Sequence, residues 1–462
     1  MGGTDSGGHT TLTRRNFAGF ASMMLLLEFI IVGMGAVDLL MIAPLGVDHI
    51  AALGLGDLIA IAVFAFFTGL VHAYAGRVAI AEGGGELSRR LPVLAAASLV
   101  VLLGFQALGV LLAAVMGPAL SAIGQAPEIV PAVDAYLDIR LSGIVPALVA
   151  SVLGVTLRVC GARNRATVVL ALGFTANLVL DYLFLYTGLS GLFATPESGV
   201  AFATVLAQTL MVPVGAWFLF RVLRDRGDRL PRPGAAAVGA ELRSLAPTAC
   251  GIGGRHVNDY MSATVPILFI GTLGAGAVAA TAVAGKLYTL YCRLPQSCFE
   301  AAFVFYGYVG ESSREVLVRT FRTVTGYSGV VTAASAMIAL AATPWLVAAF
   351  SGEGVDRALA QSMFLAYMVS MPVYFFDQIL ARFLAVHQRG NVLFGASTLT
   401  YAVALPLAWW SVFVLDSAFW AIASRGAVFA LSALAFWWVL RRIWAAGRTP
   451  AEEAGADRPP AT

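Results

Sequence analysis

Charge is what this 462-residue chain has least of, since Asp, Glu, Lys and Arg make up only 12% of it, against about 25% in soluble globular proteins. With 59% hydrophobic residues and a mean hydropathy of +0.83, that deficit excludes a water-soluble fold. Lysine is almost missing: Lys286 stands alone beside 28 Arg. The net charge of +3 comes from Arg confined to particular loops, so no nucleic-acid partner is expected. Cysteine is scarce too, and Cys160, Cys250, Cys292 and Cys298 lie singly in or beside apolar runs with no CxxC pair. They read as packing residues, with no redox or zinc role. There is no GxxxxGK[ST] loop, so ATP is not the energy source within the chain, and no G-x-S-x-G elbow or HExxH helix. No catalytic residue, enzyme activity or cofactor is expected.

What is present is apolar length. A membrane-spanning helix needs roughly 20 mostly apolar residues, and such runs fall near 17–42, 50–74, 91–115, 132–157, 166–188, 199–222, 245–271, 277–308, 322–350, 358–386, 391–415 and 418–443. Alternate connections carry the Arg, as at Arg14 and Arg15, Arg77 to Arg90, Arg158 to Arg165, Arg221 to Arg243, Arg314 to Arg322, Arg389 and Arg441 to Arg448. The opposite set holds mainly acids, with Arg357 the clearest exception. Because cytoplasmic loops accumulate Arg and Lys, the expectation is a multi-pass protein of the cell (inner) membrane with both termini cytoplasmic. The fold class is therefore an all-α polytopic membrane protein of twelve transmembrane helices, arranged as two six-helix pseudo-repeated lobes. The expected division is an arm at 1–16, an N-lobe at 17–222, a cytoplasmic linker at 223–244, a C-lobe at 245–443 and a disordered tail at 444–462.

The two-lobe reading rests on internal similarity. LGVDHIAAL at 45–53 resembles LGAGAVAAT at 273–281, which puts Gly46 opposite Gly274, 228 residues on. The segment from Pro146 to Arg163 parallels that from Pro372 to Arg389, 226 residues on. Six spans per half make the repeats parallel, with substrate expected between them.

Ionisable groups at membrane depth cost about 2.5–3.5 kcal/mol on insertion scales, and here they are Glu28, Asp38, Asp57, Asp181, Asp259, Lys286, Glu300, Asp377, Arg382 and Arg425. The sharpest grouping is NLVLD, where Asn177 and Asp181 lie four residues apart on one helix face. A dry carboxyl beside an amide can take up and release a proton. Asp38 joins that site if its helix faces theirs, and its protonation would let the first helix bend near Gly33 and Gly35. Asp259 and Asp377 form the expected pair in the second half, able to hold Na⁺ or share a proton unless Arg255, Lys286, Arg293 and Arg382 tie them into structural salt bridges. Glu28, Asp57 and Glu300 read as packing contacts. The aromatics of 288–308, including Tyr288, Tyr291, Phe299, Phe303, Phe305 and Tyr306, either line a pocket or fill a core.

The segments 37–56, 136–166, 177–184 and 371–391, in this order, resemble the multidrug and toxic compound extrusion (MATE) family. The resemblance implies an exporter that exchanges H⁺ or Na⁺ for amphiphilic, often cationic, small molecules by alternating access. It further implies that Asp38, Asn177 and Asp181 form an acid site with Tyr136 and Thr204 beside it. Asp259 and Asp377 match the family's second cation site, which would hold Na⁺ if coupling is to sodium. The basic group Arg255, His256, Lys286 and Arg293 departs from the pattern and suits an anionic or zwitterionic substrate. The expected partners are a small-molecule substrate and membrane lipid, with the transporter a monomer. The alternatives are a lipid-linked oligosaccharide flippase of the same superfamily and a membrane-embedded transferase.

Overall fold

The computed structural model describes residues 14–83, 85–228, 230–308, 314–386 and 390–445, and the chain is all-α, with no strand among them. Among the described residues fourteen helices follow one another: α1 (Arg14–Ile42), α2 (Val47–Gly83), α3 (Leu87–Ala122), α4 (Val130–Ser142), α5 (Ile144–Val159), α6 (Arg163–Tyr186), α7 (Pro196–Asp225), α8 (Ala235–Ile270), α9 (Ala275–Tyr308), α10 (Arg314–Phe350), α11 (Arg357–Val369), α12 (Met371–Val386), α13 (Gly390–Phe413) and α14 (Ala418–Ala445). Among the described residues six helices are long and apolar enough to cross a membrane, and the bent pairs α4/α5 and α11/α12 make two more spans. Counting each bent pair as one span turns the fourteen helices into twelve.

The two bends correct the straight spans expected at 132–157 and 358–386, and their cause is local. Pro146 has no N–H to give to Ser142, and its ring crowds that carbonyl; the chain breaks at Gly143 and turns by 48°. In the second half Pro372 does the same to Met368, with the break at Ser370 and a turn of 40°. These prolines are the pair matched by the internal repeat. The other match is structural as well. Short 3₁₀ turns at Ala43–Leu45 and Gly271–Leu273 are each followed by a glycine with positive φ, Gly46 at 128° and Gly274 at 107°. Side chains rarely adopt that conformation, which explains why glycine stands at both positions.

The chain divides into two compact units. The first comprises Gly33–Ala282 with Phe350–Val355; the second draws on Met1–Val32, Val283–Ala349 and Asp356–Thr462. The boundaries thus fall inside α1, at Gly33, and inside α9. Helix α8, read from the sequence as the first span of the second lobe, lies in the first unit, where it crosses α2 at backbone contact. A Cβ on Gly69 would stand 2.2 Å from the Ala249 carbonyl oxygen, and one on Gly253 would stand 2.2 Å from that of Phe66. Small residues let helices approach this closely where lipid supplies no hydrophobic drive between them.

Gly253→Leu should lower the melting temperature of the purified protein in detergent, since overpacking costs about 1–3 kcal/mol and more where the obstacle is backbone. Gly254→Leu is the control, because a Cβ there meets nothing within 4 Å. Equal melting temperatures for the two variants would contradict this crossing.

The core of the second unit gathers Phe299, Phe305, Tyr306, Phe383 and Phe436, with Phe17 of α1 packed against Phe305 at 5.9 Å between ring centroids. Of the aromatics singled out on α9, Phe299, Phe305 and Tyr306 therefore fill a core, while the Phe303 side chain lies outside the described residues. Apolar faces point outward as well. Helix α3 exposes Leu99, Leu103, Leu111 and Val115, and α10 exposes Val330, Met337, Ile338 and Trp345, the last two by 70% and 73%. Continuous outward apolar faces on such helices are stable only in lipid, so the chain is a multi-pass membrane protein.

Candidate functional site

The first unit assembles its polar groups from five helices. Asp38 stands near the end of α1, Asp57 on α2, Tyr136 and Arg140 one turn apart on α4, Asn177 and Asp181 one turn apart on α6, and Thr204 on α7. All seven are buried, with Asn177 and Asp181 fully so. Gly56 makes room for Tyr136, because a Cβ at that position would lie 2.6 Å from the tyrosine ring.

The amide and acid of NLVLD do not bind each other. Asn177 Nδ2 instead donates to Thr204 Oγ1 at 3.4 Å, and that hydroxyl donates to the Val200 carbonyl at 3.1 Å. This leaves Asn177 Oδ1 and both carboxylate oxygens of Asp181 without a partner in hydrogen-bonding geometry among the protein groups. The charged group that acts on Asp181 is Asp38, its electrostatic neighbour. Two dry carboxylates facing each other repel strongly, and one proton or one monovalent cation shared between them offsets the charge.

Arg140 was not among the residues read from the sequence as candidates. Its guanidinium is 9% exposed and acts on Tyr136, Asp57 and Asp38, with Cζ 5.2 Å from the Phe64 ring centroid. Its Nε and Nη1 have no hydrogen-bond acceptor among the described residues. The signal for it was present: an arginine within a span, toward the end away from the Arg-rich loops. Asp57, read as a packing contact, belongs to this group through Arg140 and Tyr136. Two carboxyl groups, Asp57 and Asp38, therefore share one guanidinium, and Asp38 is at the same time the charged neighbour of Asp181.

The second unit arranges its charges differently. Asp377 on α12 accepts hydrogen bonds from Ser432 Oγ and, at 3.1 Å, from Gln378 Nε2. Glu300, for which the sequence identified no partner, pairs with Arg382 at 2.7 Å. Arg382 is thus the structural partner of Glu300 rather than of Asp377. The Asp259 and Arg255 side chains lie outside the described residues, so the expected Asp259–Asp377 pair does too; Glu28 shares that position. Among the described residues no group of three or more His, Cys, Asp and Glu side chains could hold a metal ion. Of the remaining basic residues, His256 meets Thr68 Oγ1 through Nδ1 at 3.2 Å and lies edge-on to His72, 4.9 Å between centroids. The four cysteines are free, three buried and Cys250 exposed.

On the Arg-rich side, Arg226 at the end of α7 reaches Glu82 on α2 at 2.8 Å and the Cys160 carbonyl at 2.8 Å. Arg77 pairs with Glu241 across α2 and α8. These contacts tie helix ends together and leave the buried acids to other work.

Comparison with known proteins gives a consistent set of similarities. Residues 24–183 match the family model described as MatE. The chain is 29% identical to the probable multidrug resistance protein NorM of Rhizobium meliloti (strain 1021), over 58% of this chain and 57% of that protein. It is 31% identical to the probable multidrug resistance protein NorM of Pseudomonas aeruginosa, over 55% and 51% respectively. The matched region thus spans just over half the length of these curated relatives. Among solved structures, a multidrug resistance MATE family transporter of the MOP superfamily in an inward-facing conformation superposes with a TM-score of 0.77 at 18% identity, over 93% of this chain and 98% of that one.

Proposed function

We propose, for a chain that matches the MatE family model over residues 24–183 and shares the fold of a MATE family transporter along 93% of its length, that it is a secondary active exporter of amphiphilic drugs or metabolites. It exchanges them for H⁺ or Na⁺ by alternating access. The observation that carries this reading is Asp181, fully buried, with two carboxylate oxygens that find no donor and Asp38 as its charged neighbour.

Such a pair favours one added positive charge in the low-dielectric interior, where a lone buried charge is costly. Arg140 supplies part of the balance from the side of Asp57 and Asp38; the remainder falls to the exchanged ion. Asp38 sits on α1 just beyond Gly33, where the chain passes from one compact unit to the other. Loading and unloading the pair therefore acts on the helix that links the units. The Arg distribution along the loops supports cytoplasmic termini in an inner membrane. The proposed transport unit is a monomer.

The test is efflux from proteoliposomes loaded with ethidium, under an imposed proton gradient or an imposed sodium gradient. One gradient should drive efflux, and its collapse by the matching ionophore should stop it. Efflux indifferent to both would overturn the antiport reading.

A further inference from the structure

The second unit holds an arginine that no acid balances among the described residues. Arg425 is on α14 within an apolar helix, partly buried, and among the described residues no carboxylate pairs with it. What surrounds it is aromatic. Its Cζ lies 5.6 Å from the ring centroid of Tyr367, 5.8 Å from that of Phe429 and 6.0 Å from that of Tyr288. Tyr288 and Tyr367 are stacked on each other, 4.6 Å between centroids at an interplanar angle of 18°. The Tyr367 ring is an electrostatic neighbour of the guanidinium. Beside this ring stands Gly285, where a Cβ would lie at ordinary van der Waals distance, 3.6 Å, from the Tyr367 hydroxyl.

Chemistry narrows what this arrangement is for. An arginine inside a membrane span is costly, and such residues ordinarily pair with an acid or serve a ligand. The aromatic faces attract the guanidinium without cancelling its charge. One phenolic oxygen accepts a single hydrogen bond, while the planar fork offers five N–H donors matched to a carboxylate. Among the described residues of the same unit, Glu300 pairs with Arg382 and Asp377 accepts from Ser432 and Gln378. Arg293 adds to the positive side, since Cys292 lies within electrostatic reach of both Arg293 and Arg425. The missing partner is an anion, and the stacked rings suit one attached to a flat aromatic body.

We infer that Arg425, with Tyr288, Tyr367 and Phe429 around it, is a recognition site for the carboxylate of a planar aromatic acid. The inference rests on the exporter reading in that it assigns the site to a transported compound, and it gives that compound a charge class. Bidentate charge-assisted hydrogen bonds to the carboxylate supply the affinity, and the rings supply shape.

Three probes of one size separate charge from stacking: 2-naphthoate, its neutral amide 2-naphthamide, and the cation 2-naphthylmethylammonium. Binding to the full chain in nanodiscs is measured calorimetrically. The wild-type protein should bind naphthoate at least about tenfold more tightly than the amide, and the amide more tightly than the cation. In Arg425→Gln the naphthoate and amide affinities should become equal, in a protein that keeps its melting temperature within a few degrees. Arg425→Lys keeps the charge but loses the planar fork; it should weaken naphthoate several-fold and leave the amide unchanged, and it decides the matter if the Gln variant does not fold. A wild-type protein with no preference for the carboxylate, or a preference that survives both substitutions, overturns the inference. The two readings also fail separately. Gradient-driven ethidium efflux without carboxylate preference leaves the exporter standing and removes this site. Arg425-dependent naphthoate binding without transport under either gradient keeps the site and removes the exporter.

Discussion

Asp181→Asn should leave a protein at least as stable as the original that no longer couples efflux to an ion gradient. The substitution keeps the size and shape of a side chain that is fully buried. It removes a carboxylate whose two oxygens meet no donor, and an unpaired buried charge is a cost that an amide reduces. The melting temperature should therefore hold or rise. Coupling should collapse, because the amide cannot take up the proton or cation that Asp38 and Asp181 share. Coupling free energies between two ligands are typically about 1–3 kcal/mol, or 5- to 150-fold in affinity, so the initial rate of gradient-driven ethidium efflux should fall by a factor in that range. Wild-type efflux from the variant in proteoliposomes would displace Asp181 from the coupling site. Loss of both efflux and melting temperature would assign it a structural role.

The second large effect belongs to Arg140. Its guanidinium is 9% exposed and faces Tyr136, Asp57 and Asp38. Removing one side of a buried charge set leaves the other uncompensated, at a cost of about 3–5 kcal/mol. Arg140→Leu should accordingly unfold at much lower temperature, or accumulate poorly in the membrane. The informative variant is the double one. If Asp57 is the acid that Arg140 chiefly balances, Asp57→Asn added to Arg140→Leu should restore most of the lost stability, because the pair is then replaced by neutral groups. A double variant whose loss equals the sum of the two single losses would separate the residues. Asp38→Asn in place of Asp57→Asn provides the comparison, and should restore less, since Asp38 is also the neighbour of Asp181.

These expectations differ in how far they could be read in advance. Asp181 and Asn177 declared themselves by four-residue spacing on an apolar helix, and Asp38 by its depth in the first span. Arg140 lies within a span as well, yet an arginine near the end of an apolar run reads as a loop residue. Only the packing of α4 against α2 turns it inward, with Gly56 vacating the space for Tyr136 one turn away. Glu300 and Arg382 are 82 residues apart, so nothing in local spacing joins them. Asp57 likewise has its charged neighbours on another helix, where local spacing does not reach.

The sequence by itself determined the solvent, the fold class, the number of spans and the places where the two halves repeat. Each of these follows from one-dimensional quantities: apolar length against bilayer thickness, and proline or glycine where a helix must bend. Tertiary structure alone decided which helices touch and which way each is turned about its axis. That placed α8 against α2 through Gly69 and Gly253, separated the Asn177 amide from Asp181 and gave it to Thr204, and set Arg425 among the rings of Tyr288, Tyr367 and Phe429. The physical reason is that hydropathy reports how deep a residue lies, while the pairing of buried charges depends on lateral neighbours. In a low-dielectric interior, a neighbour a few ångströms away outweighs everything the composition of its own helix supplies.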